Sequence, residues 1–297
     1  MTQTDRSVTA HRDTLALGDR ERTFTVVGEP RAASGRALVL VFHGSRQTGE
    51  THRRMTGGAL DRLAADGRAV VAYLDGHRGN WNDARRGSRF PARQQDVDDV
   101  GFAHAVVERL HRTHAIDPAR VVLTGFSNGG QLVLRLLHDV PELAAGAVVV
   151  ATTMPVREDF LAGFSETAAV SAPVTIVAGT ADPIAPYRGG RMAWWARTLF
   201  RVDGHSLSAP ATAQYFAARA GVTTAPRVVP IPPARAGQRT RTTRTDYGDG
   251  DAPVVSLVTV EGGGHTVPAA KPGPAIVGAT GQDLTIDTLV EEMLDRI

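Results

Sequence analysis

The sequence predicts an α/β protein: a mostly parallel central sheet with helices on both faces, preceded by an N-terminal β-hairpin. Three observations carry this. Short apolar runs rich in β-formers recur along the chain, and most are continuous rather than alternating, as strands buried on both faces must be. Amphipathic helical patterns lie between most of them, which is the signature of βαβ units. The runs end in Gly, Asp or His, or close to one, where such sheets bind ligands.

The elements follow in order. Residues 1–10 are polar and expected to be a frayed tail, with 11–297 expected to be a single domain. "DTLALGDRERTFTVVGE" alternates on both sides of Gly18-Asp19 and predicts the hairpin. Strands are predicted at Ala37–Phe42, Ala69–Leu74, Val121–Thr124, Ala147–Val150, Val174–Ala178 and Val254–Val260. Helices are predicted at Thr51–Ala65, Asp96–His114, Gly129–His138, Ala211–Ala220 and Asp283–Ile297. Segments 76–95, 183–209 and 225–250 are the least regular, and the last two are expected to be cap or pocket insertions. No internal repeat is visible.

Composition narrows the function. With 297 residues, 42% hydrophobic and 22% charged, the chain has the balance of a globular domain with a sizeable core. No apolar run approaches the length of a membrane span, so no membrane partner is expected. The absence of cysteine removes disulfides, thiolate nucleophiles and Cys-ligated metals together. With no visible leader, a cytoplasmic location is expected, or a secreted one if a leader has been removed. Net charge is +2 and Lys271 is the single lysine. The densest arginine run, "RAGQRTRTTRT" near 235–245, lacks interleaved aromatics and is expected to be a solvated loop, with no nucleic-acid partner.

The chemistry centres on "RVVLTGFSNGGQ", residues 120–131. G-x-S-x-G is a modest signal alone, because a glycine-rich turn with a capping serine would look the same. Here it follows a predicted buried strand and opens a helix, the setting a nucleophilic serine needs. A serine hydroxyl requires a base, and the base an orienting acid. Asp182, in "VTIVAGTADPIAPYRGG", follows one strand; its bland alternative is an Asp-Pro turn. His265, in "LVTVEGGGHTVP", follows the last on a triple-glycine approach; its bland alternative is a loop histidine. Ser127, Asp182 and His265 are therefore the candidate catalytic residues, without cofactor. The backbone N–H groups of Ser45, in "LVLVFHGSRQTG", and Asn128 are the candidate oxyanion donors. His43 is expected to be a structural hydrogen-bonder of that loop. His104, His111 and His114 fall along one edge of a predicted helix but lack H-E-x-x-H, so a solvated or core-edge stripe is favoured over a metal site.

Taken together, "LVFHGSRQTG", "YLDGHRGNWNDAR", "DVDDVGF", "DPARVVLTGFSNGG", "AGTADPIAPYRGG" and "VEGGGHTVP" resemble, over residues 35–270, the α/β-hydrolase esterases of the polyhydroxybutyrate depolymerase and feruloyl esterase type. The resemblance implies the α/β-hydrolase fold and a metal-free Ser-Asp-His carboxylesterase, its triad falling on Ser127, Asp182 and His265. It also implies that Trp81 lies near the active-site mouth, and it singles out Asp98 and Asp99, of which Asp99 is expected to be a buried hydrogen-bonding residue. Gln47, Tyr187, Trp194 and Trp195 complete the expected substrate-contacting set. "RMAWWARTLFRVDG", with Trp194, Trp195 and Phe200, reads as a cap or pocket wall, with surface packing or a homodimer contact as the alternative. The chain departs from its relatives in having Thr266-Val267-Pro268 after the histidine, where Trp-Pro-Gly is usual. The expected substrates are soluble hydroxyalkanoate-type, aromatic (feruloyl-like) or short polyester and oligomer esters. A serine peptidase or amidase on the same fold and a non-catalytic hydrolase-fold binding protein are the rival readings; amide turnover would separate the first and labelling of Ser127 the second.

Overall fold

A computed structural model describes residues 8–30, 35–161, 172–249 and 252–297. Seven residues of the expected tail lie outside these, and Ala10 already belongs to a strand. The strands are β1 (Ala10–Leu17), β2 (Arg20–Val27), β3 (Arg36–Phe42), β4 (Ala69–Leu74), β5 (Ile116–Phe126), β6 (Gly146–Val150) and β7 (Val174–Gly179). They continue with the two-residue pair β8 (Gly190–Arg191) and β9 (His205–Ser206), then β10 (Arg227–Pro230), β11 (Arg241–Tyr247) and β12 (Val255–Glu261). Ten strands form one sheet in the order β1-β2-β4-β3-β5-β6-β7-β12-β11-β10. The six central strands from β4 to β12 pair in parallel, and both edges are antiparallel.

Helices cover both faces because both faces are apolar. Leu38, Leu40 and Phe42 of β3 join one core cluster, beneath α4 (Asp99–His114), α5 (Asn128–Asp139) and α7 (Ala209–Arg219). Ala37, Val39 and Val41 alternate onto the other, with α2 (Asp61–Ala65) and α8 (Ile286–Leu294). The expected helix at 51–65 is two pieces, α1 (Gly49–Met55) and α2. Gly57 and Gly58 both take positive φ between them, a conformation open to glycine that ends a helix. Two short helices, α3 (Pro91–Gln94) and α6 (Trp194–Phe200), lie in the irregular segments. No helix among the described residues is long and apolar enough to cross a membrane.

One segment differs from expectation. Residues 225–250 supply β10 and β11 at the antiparallel edge of the sheet, and half of the arginine-rich run is strand. In β11 the buried side chains include Thr242 and Asp246, while Arg244 bonds Asp246 and Glu292. An edge strand with one wet face needs little apolar content, so neither run announces itself by hydrophobicity.

Candidate active site

β5 ends at Phe126 and α5 begins at Asn128, so Ser127 alone makes the turn. It does so at φ 54° and ψ −114°, a sparsely populated conformation costing about 1–3 kcal/mol. Two glycines make that geometry accessible. A Cβ on Gly129 would stand 2.1 Å from the Phe42 carbonyl oxygen, and one on Gly125 would stand 2.4 Å from the Gly129 oxygen. Only glycine lets β3, β5 and α5 approach this closely. The Ser127 N–H donates to Val150 O at 2.9 Å, which pins the turn to β6.

Asp182 and His265 arrive on neighbouring loops. β7 and β12 are adjacent parallel strands, and the loops after them touch: Ala181 N donates to Gly263 O at 2.9 Å. His265 is held by its own N–H to Val277 O at 2.7 Å. Its Nδ1 lies 2.7 Å from Asp182 Oδ2 and its Nε2 2.9 Å from Ser127 Oγ. A carboxylate only accepts, so Nδ1 carries the proton and Nε2 faces the serine as acceptor. The other oxygen, Asp182 Oδ1, accepts from the N–H groups of Ile184 at 2.7 Å and Ala185 at 2.8 Å. The carboxylate is thus fixed from behind, and both it and the imidazole are buried.

Ser45 follows β3 and lines the same cavity as Ser127 and His265. The Asn128 N–H is the first of α5, and such a group has no partner within its helix. The loop carrying Ser45 is bound internally. Gly44 N donates to Gln47 Oε1 at 3.1 Å and Arg46 N to Gly79 O at 2.7 Å. His43 is buried; its Nδ1 donates to Gly44 O at 2.7 Å and its Nε2 accepts from Gly76 N at 2.9 Å. Burial lowers its pKa to about 4, so the ring stays neutral and holds the loop.

Trp81 corrects an expectation. It is fully buried, so it does not sit at the mouth. Its Nε1 donates to His43 O at 2.9 Å and its N–H to Asn128 Oδ1 at 3.0 Å, tying the Ser45 loop to the residue after Ser127. Around it, Asn128 Nδ2 donates to Asp83 Oδ2, which also pairs with Arg85. Asp99 is buried: it accepts from Asn82 N at 2.6 Å and pairs with Arg22 at 2.6 Å, while Asp98 caps α4.

The cavity itself is walled by Ala151, Thr152, Thr153 and Pro155 after β6 and by Ile184–Pro186 after β7, and closed by Met192, Phe200, Val202 and 203–206. Segment 183–209 is thus pocket wall, but its tryptophans are not in it. Trp194 is 73% exposed and lines a separate outer groove; Trp195 is 39% exposed. The short helix α6 turns Ala196 inward and leaves both indoles outside. Tyr187 packs against the core and its hydroxyl meets Thr259 Oγ1 at 2.9 Å; Gln47 holds Gly44 rather than facing the cavity. Of the wall residues, Met192, Phe200 and Val202 lie in the segment expected to be a cap or pocket wall, and Gln131 follows the serine by four residues; Thr152 had no signal in the sequence. His111 and His114 bond to Ile116 O and Thr113 Oγ1, and burial lowers the His114 pKa to about 4.

A parallel sheet of this order, with a strained serine on the strand-to-helix turn and an aspartate and a histidine on loops following later strands, defines the α/β-hydrolase class. Residues 80–201 match the family model described as Phospholipase/Carboxylesterase. The chain is 33% identical, over 97% of its own length and 83% of the other's, to a protein of Nocardia uniformis subsp. tsuyamanensis named "Putative esterase NocK". In fold it is similar to an acetyl xylan esterase from Aspergillus awamori, with TM-score 0.56 and 16% identity, covering 87% of this chain and 95% of that one. The chain belongs to the esterases of the α/β-hydrolase family.

Proposed function

We propose that this esterase is a serine carboxylesterase working through Ser127, His265 and Asp182 and an acyl-enzyme. The observation that carries the reading is the single imidazole hydrogen-bonded to both the serine hydroxyl, at 2.9 Å, and the carboxylate, at 2.7 Å. In the first half-reaction Ser127 Oγ attacks the ester carbonyl carbon as His265 Nε2 takes its proton. The tetrahedral oxyanion lies against the N–H groups of Asn128 and Ser45. Collapse expels the alcohol, which takes the proton back from His265. Water then attacks the acyl-enzyme by the same route, with His265 as base, and releases the acid and Ser127. Asp182 keeps the proton on Nδ1 and stabilises the imidazolium.

The substrates are soluble esters with a modest acyl group: hydroxyalkanoate-type, aromatic, or short polyester oligomers. The largely apolar wall of Pro155, Ile184, Met192, Phe200 and Val202 supports this. Ser127→Ala tests the mechanism. Turnover of a p-nitrophenyl ester is expected to vanish with the fold intact, and wild type to take up one equivalent of a fluorophosphonate that the variant does not. Unchanged turnover in the variant would end the reading. Chelator is expected to leave the rate unaltered, since side chains carry every proton transfer; a loss would favour a metal enzyme.

A further inference from the structure

One wall residue of the cavity has a polar atom that the proposed mechanism does not use. Gln131 stands one turn into α5, its N–H donating to Ser127 O at 3.0 Å. It is only 4% exposed and lines the cavity that holds Ser127 and His265. Its Nε2 donates to Thr153 O at 2.8 Å and to Thr152 Oγ1 at 2.6 Å. A backbone carbonyl can only accept, so the amide orientation is fixed with nitrogen toward Thr153. That leaves Oε1, a buried acceptor with no protein partner among the described residues. Buried acceptors of this kind are uncommon and call for a physical reason.

We propose that Gln131 is a specificity-determining residue of the acyl pocket, selecting acyl groups that carry a hydrogen-bond donor. This rests on Ser127 as the nucleophile. Gln131 follows Ser127 by one hydrogen-bonded turn, and both border one cavity; a helical turn rises about 5.4 Å. From the acyl carbonyl carbon to a heteroatom on the third carbon is three bonds of roughly 1.5 Å each, a comparable reach. A purely apolar acyl chain leaves Oε1 without a donor; a hydroxyl or amino group beside it supplies the missing one. Sites built around such a polar group discriminate strongly against the analogue lacking it. Thr152 adds a distinction between the two donors. Its Oγ1 accepts from Gln131 Nε2, which leaves its own O–H to donate. A substrate hydroxyl takes both interactions, whereas an ammonium takes only that of Gln131.

The test compares kcat/KM for the p-nitrophenyl esters of butyric, 3-hydroxybutyric and 3-aminobutyric acids. The wild type is expected to favour at least one donor-bearing ester over the butyrate by about tenfold or more. In Gln131→Leu that ratio is expected to fall to within about threefold of unity. A preference for the hydroxyl ester alone that Thr152→Val reduces assigns the donor as hydroxyl; equal preference assigns Gln131 alone. A wild-type ratio near unity overturns the inference, as does a ratio that survives in folded Gln131→Leu. If Gln131→Leu does not fold, the wild-type ratio decides. No turnover of any of the three esters by wild type removes the nucleophile reading and this one with it, a failure distinct from turnover without discrimination.

Discussion

The Trp81 backbone N–H donates to Asn128 Oδ1 over 3.0 Å, and through this contact a fully buried tryptophan fixes the residue that follows Ser127. The same residue's indole N–H donates to His43 O, at the root of the Ser45 loop. One residue, through its backbone N–H and its indole, therefore links the two proposed oxyanion donors. Trp81→Phe keeps an aromatic ring in place but removes the indole donor and some buried volume. A lost donor to a buried carbonyl costs about 1–3 kcal/mol in stability. Loosening the Ser45 loop is expected to lower kcat about tenfold with a smaller change in KM, because the hole matters most in the transition state. Steady-state kinetics with a urea melt checks both. Unchanged kcat beside lowered stability would show that Trp81 only packs.

Asp182→Asn separates charge from shape. The amide oxygen can still accept from Ile184 and Ala185, so the loop keeps its anchors. The amide nitrogen turned to His265 would donate to Nδ1, forcing the proton onto Nε2, where it cannot act as base. A kcat loss of roughly 10³–10⁴ is expected, with KM little changed. Stopped-flow or long-time-course ester assays cover that range. A loss below tenfold would remove Asp182 from the proposed role.

How much of this was legible in the sequence depended on whether the signal was local. The central strands were legible because burial on both faces makes them continuous apolar runs, and β4 is Ala69–Leu74 as read. The meeting of the candidates Ser127, Asp182 and His265 could be anticipated because each follows a strand that the parallel sheet aims at one rim, with glycines nearby that permit close approach. Trp81 was misplaced, since "NWNDAR" looks the same whether its indole faces a ligand or a carbonyl. Trp194 and Trp195 were misplaced because α6 is one short helix whose single buried residue is Ala196. Aromatic content does not say which way so short a helix rotates. The edge strands β10 and β11 were missed for want of apolar content.

Arg22 and Asp99 form a buried ion pair at 2.6 Å, with Asp99 also bonded to Asn82 N, one residue from Trp81. Burial raises the Asp99 pKa, against the opposing pull of Arg22. Removing one partner leaves the other charge buried and unpaired. Asp99→Ala is expected to destabilise the fold by about 3–5 kcal/mol. Replacing both, as Arg22→Met with Asp99→Leu, is expected to recover part of that loss, because no buried charge is left alone and Phe102 lies 4.1 Å beneath the guanidinium, while the Asn82 N–H and Asp75 carbonyl lose their partners. Urea unfolding of the single and double variants measures the difference. A single variant as stable as wild type would contradict the account.

Acid is expected to unfold this protein through its histidines before its carboxylates. Burial lowers the pKa of His43, His114 and His138 to about 4 and of His52 to about 3. In the unfolded chain each titrates near 6.5. Between those values the unfolded state binds protons that the folded state refuses, so stability rises with pH. The contribution of the four neutral rings is fully present above about pH 6.5 and is lost as pH falls through 6.5 toward 4. Each ring contributes a slope approaching about 1.4 kcal/mol per pH unit within that window. The urea midpoint should therefore fall steeply between pH 7 and pH 5 without a change in m-value. His52→Phe, which replaces a buried ring already stacked on Phe126, should flatten the slope by about one proton. A midpoint constant from pH 7 to pH 5 would mean that the rings are protonated inside the fold, against what their burial requires.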